Sequence, residues 1–357
     1  MNIHHLSHID LDGYSCQLIM KYTPYTITNY NANYGAEVRS KLELILENIK
    51  VAKLKSATIL ITDLNLTADE SRWLHNQVIQ QKEYGIDITL TLLDHHGSGE
   101  ESAKKYKWYF LDVERCATKI TYDYVKENFE FDEPEWLCKY VDIVNAVDLW
   151  KKDEVENFEY GKVCMRLVNE TRELNRTMFA TEDNHYKISL LVESAKFINE
   201  PDAPILLDEM IHKLKKSFFQ TAENNTLDNL ATKHVVALLG DKRKTNTIYY
   251  KGYRGFLSYG VGNTSIVGNG FLLEYPEYDF IVDVSSRGAM SLRANFQVSV
   301  AQISKEWANG GGHPNAAGGR IQGFKEQYRY DKVKQQIERL INDKEAVAGD
   351  LEYKREE

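Results

Sequence analysis

The N-terminal part of the chain alternates short runs of β-branched and apolar residues with longer stretches of helical character, and this alternation constrains the fold more than any other feature. Five runs predict strands, at residues 2–7, 25–30, 57–62, 88–93 and 107–112. Helices are expected between them, at residues 13–21, 36–52 and 68–82. Strands that alternate with helices of this length form βαβ units, in which the strands are parallel. The sequence therefore predicts an α/β domain built on a mostly parallel sheet.

The rest of the chain predicts a helical segment and a second, smaller α/β domain. Residues 115–197 have a helical pattern, and Pro201 and Pro204 precede a stretch at 206–230 whose apolar residues have helical spacing. Strand-like runs return at 234–239, 247–253, 255–260, 279–285 and 290–294. Further helices are expected at 265–274 and 298–308. We expect an N-terminal domain at 1–200, a linker helix at 201–232, a mixed-sheet domain at 233–343 and a charged tail at 344–357 that frays.

Length, charge and cysteine usage exclude several classes of protein. The 357 residues suit two domains or one large fold with an insertion. The net charge of −9 argues against a protein that coats long nucleic acid. The apolar runs are far shorter than the roughly 20 residues that span a bilayer, and the N-terminus lacks the pattern of a signal peptide. The four cysteines contain no C-x-x-C pair, so we expect a cytoplasmic protein with reduced, mostly buried thiols.

Three of the predicted strands run directly into acidic and histidine residues. These potential ligands are His8, Asp10, Asp12, Asp63, His95 and His96. Ligands of open α/β sheets bind beyond the carboxyl ends of the strands, where such residues meet. Carboxylates packed that closely repel one another unless a cation neutralises them, and mixed carboxylate and imidazole ligands suit Mn²⁺, Mg²⁺, Fe²⁺ or Zn²⁺. A further carboxylate is expected from the helical segment YVDIVNAVDLW, either Asp142 or Asp148.

Some of these residues also have a structural explanation when considered alone, although the adjacent pair His95 and His96 is harder to explain in this way because it directly follows an apolar run and an Asp. An Asp after a strand, such as Asp63, commonly caps a helix, and Asp10 lies in DLDG, which favours a turn. His4 and His5 lie inside the first strand, where a structural role is expected. Three strand ends that together carry six potential ligands favour a metal site over these separate explanations.

Five segments of the chain resemble the motifs of one known family. SHIDLDG, ITDLN, LLDHH and AVDLW resemble the four motifs of the DHH phosphoesterases. GGGHPNAAG at 310–318 resembles the GGGHxxAAG motif of the associated DHHA1 domain, and the upstream MSLRA, which contains Arg293, also fits that domain. The resemblance covers about residues 1–340 and is greatest for the NrnB-type oligoribonucleases. Many members carry a histidine four residues before the first aspartate; here Leu6 occupies that position and His8 is the nearest candidate.

The resemblance implies roles for the residues that match these motifs. It implies two divalent metal ions, usually Mn²⁺, with Mg²⁺ or another divalent ion as the alternative. His8 and Asp10 would hold one ion, Asp12 and His95 the other, and Asp63 and Asp148 would bridge them. Asp94 would support the cluster. The substrate phosphate would contact His96, Arg293, Gly311, Gly312 and His313.

The implied reaction is the hydrolysis of very short RNA to nucleoside 5′-monophosphates by a metal-bound hydroxide. The alternatives are a 3′-phosphoadenosine 5′-phosphate phosphatase, a cyclic or linear dinucleotide phosphodiesterase, a RecJ-like single-strand exonuclease and a non-catalytic nucleotide sensor. Basic residues are clustered only at 213–216 and 242–244, so no track for long nucleic acid is expected. The expected partners are short RNA or nucleotides with a terminal phosphate, and a homodimer is left open.

Overall fold

The computed structural model describes the backbone of residues 1–353 and the side chains of residues 1–345, and the chain divides into two compact units. The N-terminal unit comprises Met1–Arg172 and Ala180–Phe218. The C-terminal unit comprises Glu173–Phe179 and the chain from Phe219 onward. The units differ from the predicted domains because the N-terminal unit extends past residue 200 and the short segment at 173–179 belongs to the C-terminal unit.

The N-terminal unit contains a sheet of five parallel strands in the order β2-β1-β3-β4-β5. The strands are β1 (Asn2–Ser7), β2 (Thr26–Asn31), β3 (Ser56–Thr62), β4 (Asp87–Asp94) and β5 (Tyr109–Leu111). All five lie within two residues of the predicted positions. The strand order reverses between β1 and β3, and such a reversal leaves a crevice at the carboxyl ends of the two strands.

The described part of the N-terminal unit contains nine helices in addition to this sheet. They are α1 (Leu11–Met20), α2 (Ala36–Val51), α3 (Ala68–Glu83), α4 (Glu100–Lys105), α5 (Ala117–Asn128), α6 (Leu137–Asp148), α7 (Phe158–Glu170), α8 (Ala180–Ser194) and α9 (Ala203–Phe219, whose last residue is assigned to the C-terminal unit). Every residue of α1 is buried, because the helix packs against β1 and against α5, α6 and α8. A helix that is enclosed on all sides gives rigid support to the residues at its N-terminus.

The C-terminal unit contains a separate mixed sheet of six strands in the order β10-β11-β9-β8-β7-β6. The strands are β6 (Thr247–Tyr250), β7 (Tyr253–Tyr259), β8 (Phe280–Val284), β9 (Ala289–Ala294), β10 (Gly311–His313) and β11 (Ala316–Arg320). Only β7 and β8 pair in parallel. The helices are α10 (Leu227–Asp241), α11 (Arg243–Asn246), α12 (Thr264–Glu274), α13 (Val300–Ala308) and α14 (Tyr330–Tyr353). The predicted fold class, a parallel-sheet domain and a mixed-sheet domain, is confirmed.

Two helices replace the predicted linker helix and the strand expected after it. The helices α9 and α10 are separate, and the predicted strand at 234–239 lies inside α10. A short apolar run fits a buried strand or a buried helix equally well. Thr226 decides between them, because its side chain accepts a hydrogen bond from Asn229 N (3.2 Å) and so starts a helix upstream of the run.

The predicted charged tail is also helical for most of its length. The helix α14 continues to Tyr353, and residues 354–357 lie outside the described residues. Val333, Ile337 and Ile341 recur every four residues on α14 and are buried, which anchors the helix to the unit. Among the described residues, no helix has both the length and the apolar composition that a bilayer span requires.

The cysteines occupy the positions expected of free thiols. Cys16, Cys116 and Cys164 are buried and Cys138 is exposed. Burial raises the pKa of the Cys16 thiol and of the Cys164 thiol, the latter to about 12. These neutral thiols act as small apolar side chains of the core.

Candidate metal centre

The loop between β1 and α1 brings three of the predicted ligands to the carboxyl edge of the parallel sheet. Asp10 caps α1, because its Oδ1 accepts a hydrogen bond from Gly13 N at 3.0 Å. Asp12 follows in the first turn of α1 and is 2% exposed. A Cβ at Gly13 would lie 2.5 Å from the carbonyl oxygen of His8. The glycine of SHIDLDG is therefore required for the loop to fold back onto the helix.

Asp63 follows β3 and lies between histidines from the two neighbouring strand ends. Its Oδ2 is 3.7 Å from His8 Nδ1, and its Oδ1 is 3.4 Å from His95 Nε2. The residue is 1% exposed and has a left-handed backbone with φ of 57°. A non-glycine residue in this region costs roughly 1 kcal/mol or more, and such strain is concentrated at functional sites. Asp adopts this region more readily than most residues, so the backbone of Asp63 fits a functional position at a lower cost.

His95 joins the end of β4 to two further carboxylates. Its Nε2 lies 3.6 Å from Asp12 Oδ2 and 3.7 Å from Asp148 Oδ2. Asp148 is the last residue of α6. Asp142, the other candidate on this helix, forms an ion pair with Lys119 Nζ at 3.1 Å on the surface. Asp148 is therefore the residue of α6 that lies with the cluster.

The six predicted metal ligands form two groups that could each hold an ion, and Asp63 connects them. One group is His8, Asp10 and Asp63, and the other is Asp12, His95 and Asp148, with the ligand atoms of each within 4.8 Å of one another. A third combination joins Asp63 to His95 and His96. Asp148 belongs only to the second group. Asp63 lies between the two groups through its 3.4 Å approach to His95, and the roles of Asp63 and Asp148 as bridging residues stay predictions.

The cluster contains more carboxylates than potential cationic side chains, so a bound cation would stabilise it. Burial and the nearby charges of Asp12 and Asp10 raise the pKa of Asp63, and the same causes raise the pKa of Asp148 to about 8. Burial opposes ionisation of Asp10 too, but hydrogen bonding and charge from His8 outweigh it and lower the pKa of Asp10 to about 2.

Two further observations test whether metal ions fit. Among the described residues, the ion pairs of these carboxylates are with histidines only. The buried Oδ2 of Asp63 has no hydrogen-bond partner in that part of the chain. A buried carboxylate oxygen without a donor is costly unless a cation approaches it. The donor set of four carboxylates and two imidazoles therefore fits divalent metal ions such as Mn²⁺ or Mg²⁺.

Asp94 holds His96 beside the cluster. Its Oδ1 lies 2.7 Å from His96 Nδ1, and its Oδ2 accepts a hydrogen bond from the Tyr109 hydroxyl at 2.7 Å. The other ring nitrogen of His96 lies 2.9 Å from the Tyr34 hydroxyl. Burial lowers the pKa of His96, but the hydrogen bond and charge of Asp94 outweigh burial and raise it. Asp94 therefore orients His96 and favours its protonated form.

Several residues that support this arrangement were not predicted. The carboxylate of Asp12 accepts hydrogen bonds from the backbone N–H groups of Ala117 (2.8 Å) and Thr118 (2.7 Å) at the start of α5. A Cβ at Gly99 would lie 2.0 Å from the Tyr109 hydroxyl oxygen, so this glycine makes room for the bond from Tyr109 to Asp94. In the sequence, the glycines of DHHGSG are the signal that could have indicated a close contact of this kind.

In the C-terminal unit, the predicted phosphate contacts share one row of the mixed sheet. His313 on β10 pairs with Ala316 on β11, and Ala316 pairs with Arg293 on β9. Residues directly opposite one another in adjacent strands carry their side chains on the same face. His313 and Arg293 thus flank the small methyl group of Ala316. The row therefore presents an imidazole and a guanidinium on either side of a methyl group, and the guanidinium donates to Leu292 O at 2.7 Å and to Ser265 Oγ at 2.6 Å.

The two glycines beside this row differ in whether the backbone and its surroundings would allow a side chain. Gly312 has φ of 144°, and a Cβ there would lie 2.5 Å from the Ala316 carbonyl oxygen. Gly311 has open space around it, since a Cβ at this position would meet no other atom within 4 Å. Both are exposed on the short edge strand β10. Gly312 is therefore needed for the fold of the strand pair, whereas Gly311 leaves its backbone open to a ligand.

Known proteins similar to this chain were found by sequence. No protein-family model matches it. Over 346 residues it is 42% identical to a Helicobacter pylori (strain ATCC 700392 / 26695) protein named 3′,5′-cyclic-nucleotide phosphodiesterase, covering 96% of this chain and 99% of that protein. It is 22% identical over 328 residues to oligoribonuclease NrnB of Bacillus subtilis (strain 168), covering 88% of this chain and 72% of that protein.

A solved structure agrees with the sequence comparison. The crystal structure of an uncharacterized protein from Helicobacter pylori G27 matches with a TM-score of 0.90 and 42% identity, covering 96% of this chain and 99% of that one. The names of the two sequence relatives are consistent with the DHH-type phosphoesterase that the motifs resemble. With 42% identity over nearly its whole length, the chain belongs to the same family as the Helicobacter pylori 3′,5′-cyclic-nucleotide phosphodiesterase, a family of phosphodiester hydrolases.

Proposed function

We propose that this protein is a divalent-metal-dependent phosphodiesterase that acts on small nucleotide substrates. The observation that carries the proposal is the ligand cluster at the carboxyl ends of β1, β3 and β4, where two groups of potential metal ligands are connected by Asp63. The relationship to the Helicobacter pylori phosphodiesterase supports the same chemistry.

Two substrate classes are supported, and the same bond is broken in both. The relative with 42% identity favours 3′,5′-cyclic nucleotides. The relative with 22% identity and the forms of the first and fourth motifs favour very short RNA. In each case water attacks phosphorus, the bond from phosphorus to O3′ breaks, and O3′ leaves with a proton. The phosphate remains on O5′, so a nucleoside 5′-monophosphate is the product of both reactions.

The residues of the N-terminal unit have separate roles in this proposal. His8, Asp10 and Asp63 would hold one ion, and Asp12, His95 and Asp148 the other, with Mn²⁺ as the first candidate. Two such ions supply positive charge to the phosphodiester and lower the pKa of water at the site. The backbone donors of α5 hold Asp12 in place, so its orientation does not depend on the ion.

His96 is the proposed contact to the reacting phosphate. Asp94 takes the hydrogen bond at Nδ1, which leaves Nε2 as the nitrogen that faces other groups. The group at Nε2 is the hydroxyl of Tyr34, a residue that is 41% exposed, and a phosphate oxygen can replace this hydroxyl. A protonated His96 then donates to the phosphate, and its raised pKa favours that state.

The C-terminal unit is proposed to bind a phosphate group. Arg293 and His313 share a face of the sheet, and both donate to phosphate oxygens when protonated. Gly311 offers a backbone that a phosphate can approach closely. A guanidinium, an imidazole and an open backbone suit one or two phosphates, which agrees with short substrates.

A substrate panel tests the proposal. Purified protein is incubated with Mn²⁺, with Mg²⁺ or with a chelator, and the products are separated by chromatography. The panel contains adenosine and guanosine 3′,5′-cyclic phosphates, pApA, pGpG, 3′-phosphoadenosine 5′-phosphate, a 5-mer RNA and a 20-mer RNA. We expect metal-dependent release of nucleoside 5′-monophosphates from the cyclic nucleotides or from RNA of two to about five residues, much faster than from the 20-mer.

Other outcomes would replace the proposal. Equal rates on the dinucleotide and the 20-mer would indicate a RecJ-like exonuclease, and turnover of 3′-phosphoadenosine 5′-phosphate alone would indicate a phosphatase. Nucleotide binding without turnover under any metal condition would indicate a sensor.

A further inference from the structure

Phe296 combines two unfavourable properties for which the fold gives no reason. Its side chain is 86% exposed, and its backbone has a left-handed φ of 65°. A bulky residue is strained in this region, and a phenyl ring in water loses the benefit of burial. A feature that is unfavourable in both backbone and side chain points to a function.

The other described non-glycine residues with positive φ have evident reasons for it. Four of them lie at turns or helix ends: Lys53, Lys251, Asn263 and Asn309. Asp63 lies in the metal cluster, and Trp150 follows the end of α6 two residues after Asp148. Phe296 lies in the loop between β9 and α13, where neither a cap nor a hairpin demands the conformation.

Hydrogen bonds hold this loop in place at both ends. Ala294 N donates to Asn315 O at 3.1 Å, and Phe296 N donates to Asn315 Oδ1 at 3.0 Å. Val300 N donates to Pro314 O at 2.8 Å. All three acceptors belong to the two residues that directly follow the histidine of the glycine cluster. The exposed ring is therefore presented by a braced loop beside the predicted phosphate contacts.

The chemistry of the ring selects the ligand. A phenyl group offers a flat apolar face without charge or hydrogen bonds, and nucleobases stack on such faces. Arg293 lies three residues earlier in the chain, and its strand row also carries His313. We propose that Phe296 is a specificity-determining residue that stacks on the nucleobase of the nucleotide substrate whose phosphate contacts Arg293 and His313. This inference rests on the proposed nucleotide substrate.

The test compares substrates with and without a base. The variants are Phe296→Gly, which relieves the backbone strain, Phe296→Trp, which keeps a stacking face, and Tyr249→Ala as the control. Tyr249 is also an exposed aromatic residue (62%), but it lies on β6 at the opposite edge of the same sheet. The substrates are adenosine 3′,5′-cyclic phosphate with ribose 3′,5′-cyclic phosphate, and pApA with its abasic counterpart.

We expect Phe296→Gly to raise KM for the base-containing substrates by about 5- to 100-fold. The variant should leave kcat and the KM for base-free substrates within about twofold, and its Tm should equal or exceed that of the wild type because the strain is removed. Phe296→Trp and Tyr249→Ala should keep the wild-type KM. An unchanged KM in Phe296→Gly, or an equal loss on base-free substrates, overturns the inference.

Turnover by the wild type tests the proposed function separately. If the wild type hydrolyses none of the substrates, calorimetric binding of adenosine 5′-monophosphate and ribose 5-phosphate decides the matter. Base-dependent binding that Phe296→Gly loses supports the stacking role without the enzyme activity. Equal binding of the two ligands, or no binding of either, overturns it.

Discussion

The candidate residues of the two units lie in opposite environments. In the N-terminal unit, Asp12 and Asp63 are almost fully buried, and burial works with like charges to raise the pKa of Asp63. In the C-terminal unit, His313 and Gly311 are exposed on a short edge strand. Repulsion between buried carboxylates destabilises the folded protein, and a bound cation relieves that repulsion. Exposed hydrogen-bond donors have little effect on the free energy of unfolding, and each contributes modestly to ligand binding. Catalysis and stability should therefore be coupled in the N-terminal unit and independent in the C-terminal unit.

The largest expected effect comes from removing Asp63, the carboxylate that lies between the two ligand groups. Asp63→Ala should lower kcat by roughly 10³-fold or more, since metal-ion stabilisation is worth several kcal/mol and each 1.4 kcal/mol is tenfold. The fold should survive, because the substitution removes repulsion between buried carboxylates. Steady-state kinetics, metal analysis and circular dichroism check this. Activity above a tenth of the wild-type value would refute the shared role of Asp63.

Asp148→Asn should lower activity and raise stability, which directly tests the coupling between the two in the N-terminal unit. We expect kcat to fall by about a hundredfold through loss of a metal ligand. Because the pKa of Asp148 is raised to about 8, its stabilising contribution in the metal-free protein is complete below about pH 4 and is lost as pH rises toward 8. Asn does not ionise, so the free energy of unfolding of the variant should not fall in this way as pH rises.

Urea unfolding in a chelator measures the effect. At pH 8 the free energy of unfolding of Asp148→Asn should exceed that of the wild type by about 1 to 2 kcal/mol, and at pH 4 the difference should vanish. The matched control is Asp142→Asn on the same helix, which should change neither activity nor the pH dependence. A variant less stable than the wild type at pH 8 would show that the cluster is not electrostatically strained.

Tyr109→Phe tests the support behind the cluster. The variant removes the hydroxyl that donates to Asp94, and loss of such an indirect support commonly reduces metal affinity or activity 10- to 100-fold. We expect a reduction of that size in kcat/KM, with the largest deficit at high pH, because a less firmly held Asp94 raises the pKa of His96 less. A uniform loss at every pH would indicate a packing defect only.

His313→Ala should give the smallest effect and lies on the other side of the comparison. We expect KM to rise about tenfold through loss of one charge-assisted hydrogen bond, with unchanged metal content and unchanged Tm, since the side chain is exposed. Kinetics and metal analysis on the same preparation check both points. A decrease in the bound metal content would contradict the assignment of metal binding to the N-terminal unit and of phosphate binding to the C-terminal unit.

The accuracy of the predictions differed between these regions for a physical reason. The five parallel strands and the residues at their ends could be predicted because each motif is local: SHIDLDG places Asp10 as a cap and Gly13 under a close backbone contact. The strand predicted at 234–239 was wrong because a six-residue apolar run has no period of its own. The helix cap that decides its structure lies at Thr226, eight residues earlier.

The sequence by itself determined the fold class and the chemical identity of the ligands, because side-chain type and spacing along a strand or helix are properties of the chain. Only the tertiary structure decided that Asp148 rather than Asp142 lies with His95, that Asp63 connects both ligand groups, and that Tyr109 and the start of α5 hold the carboxylates. These relations depend on which face of a helix packs against the sheet and on contacts between residues from 15 to 105 positions apart in the chain. Such contacts are set by burial of the whole core, and no local pattern encodes them.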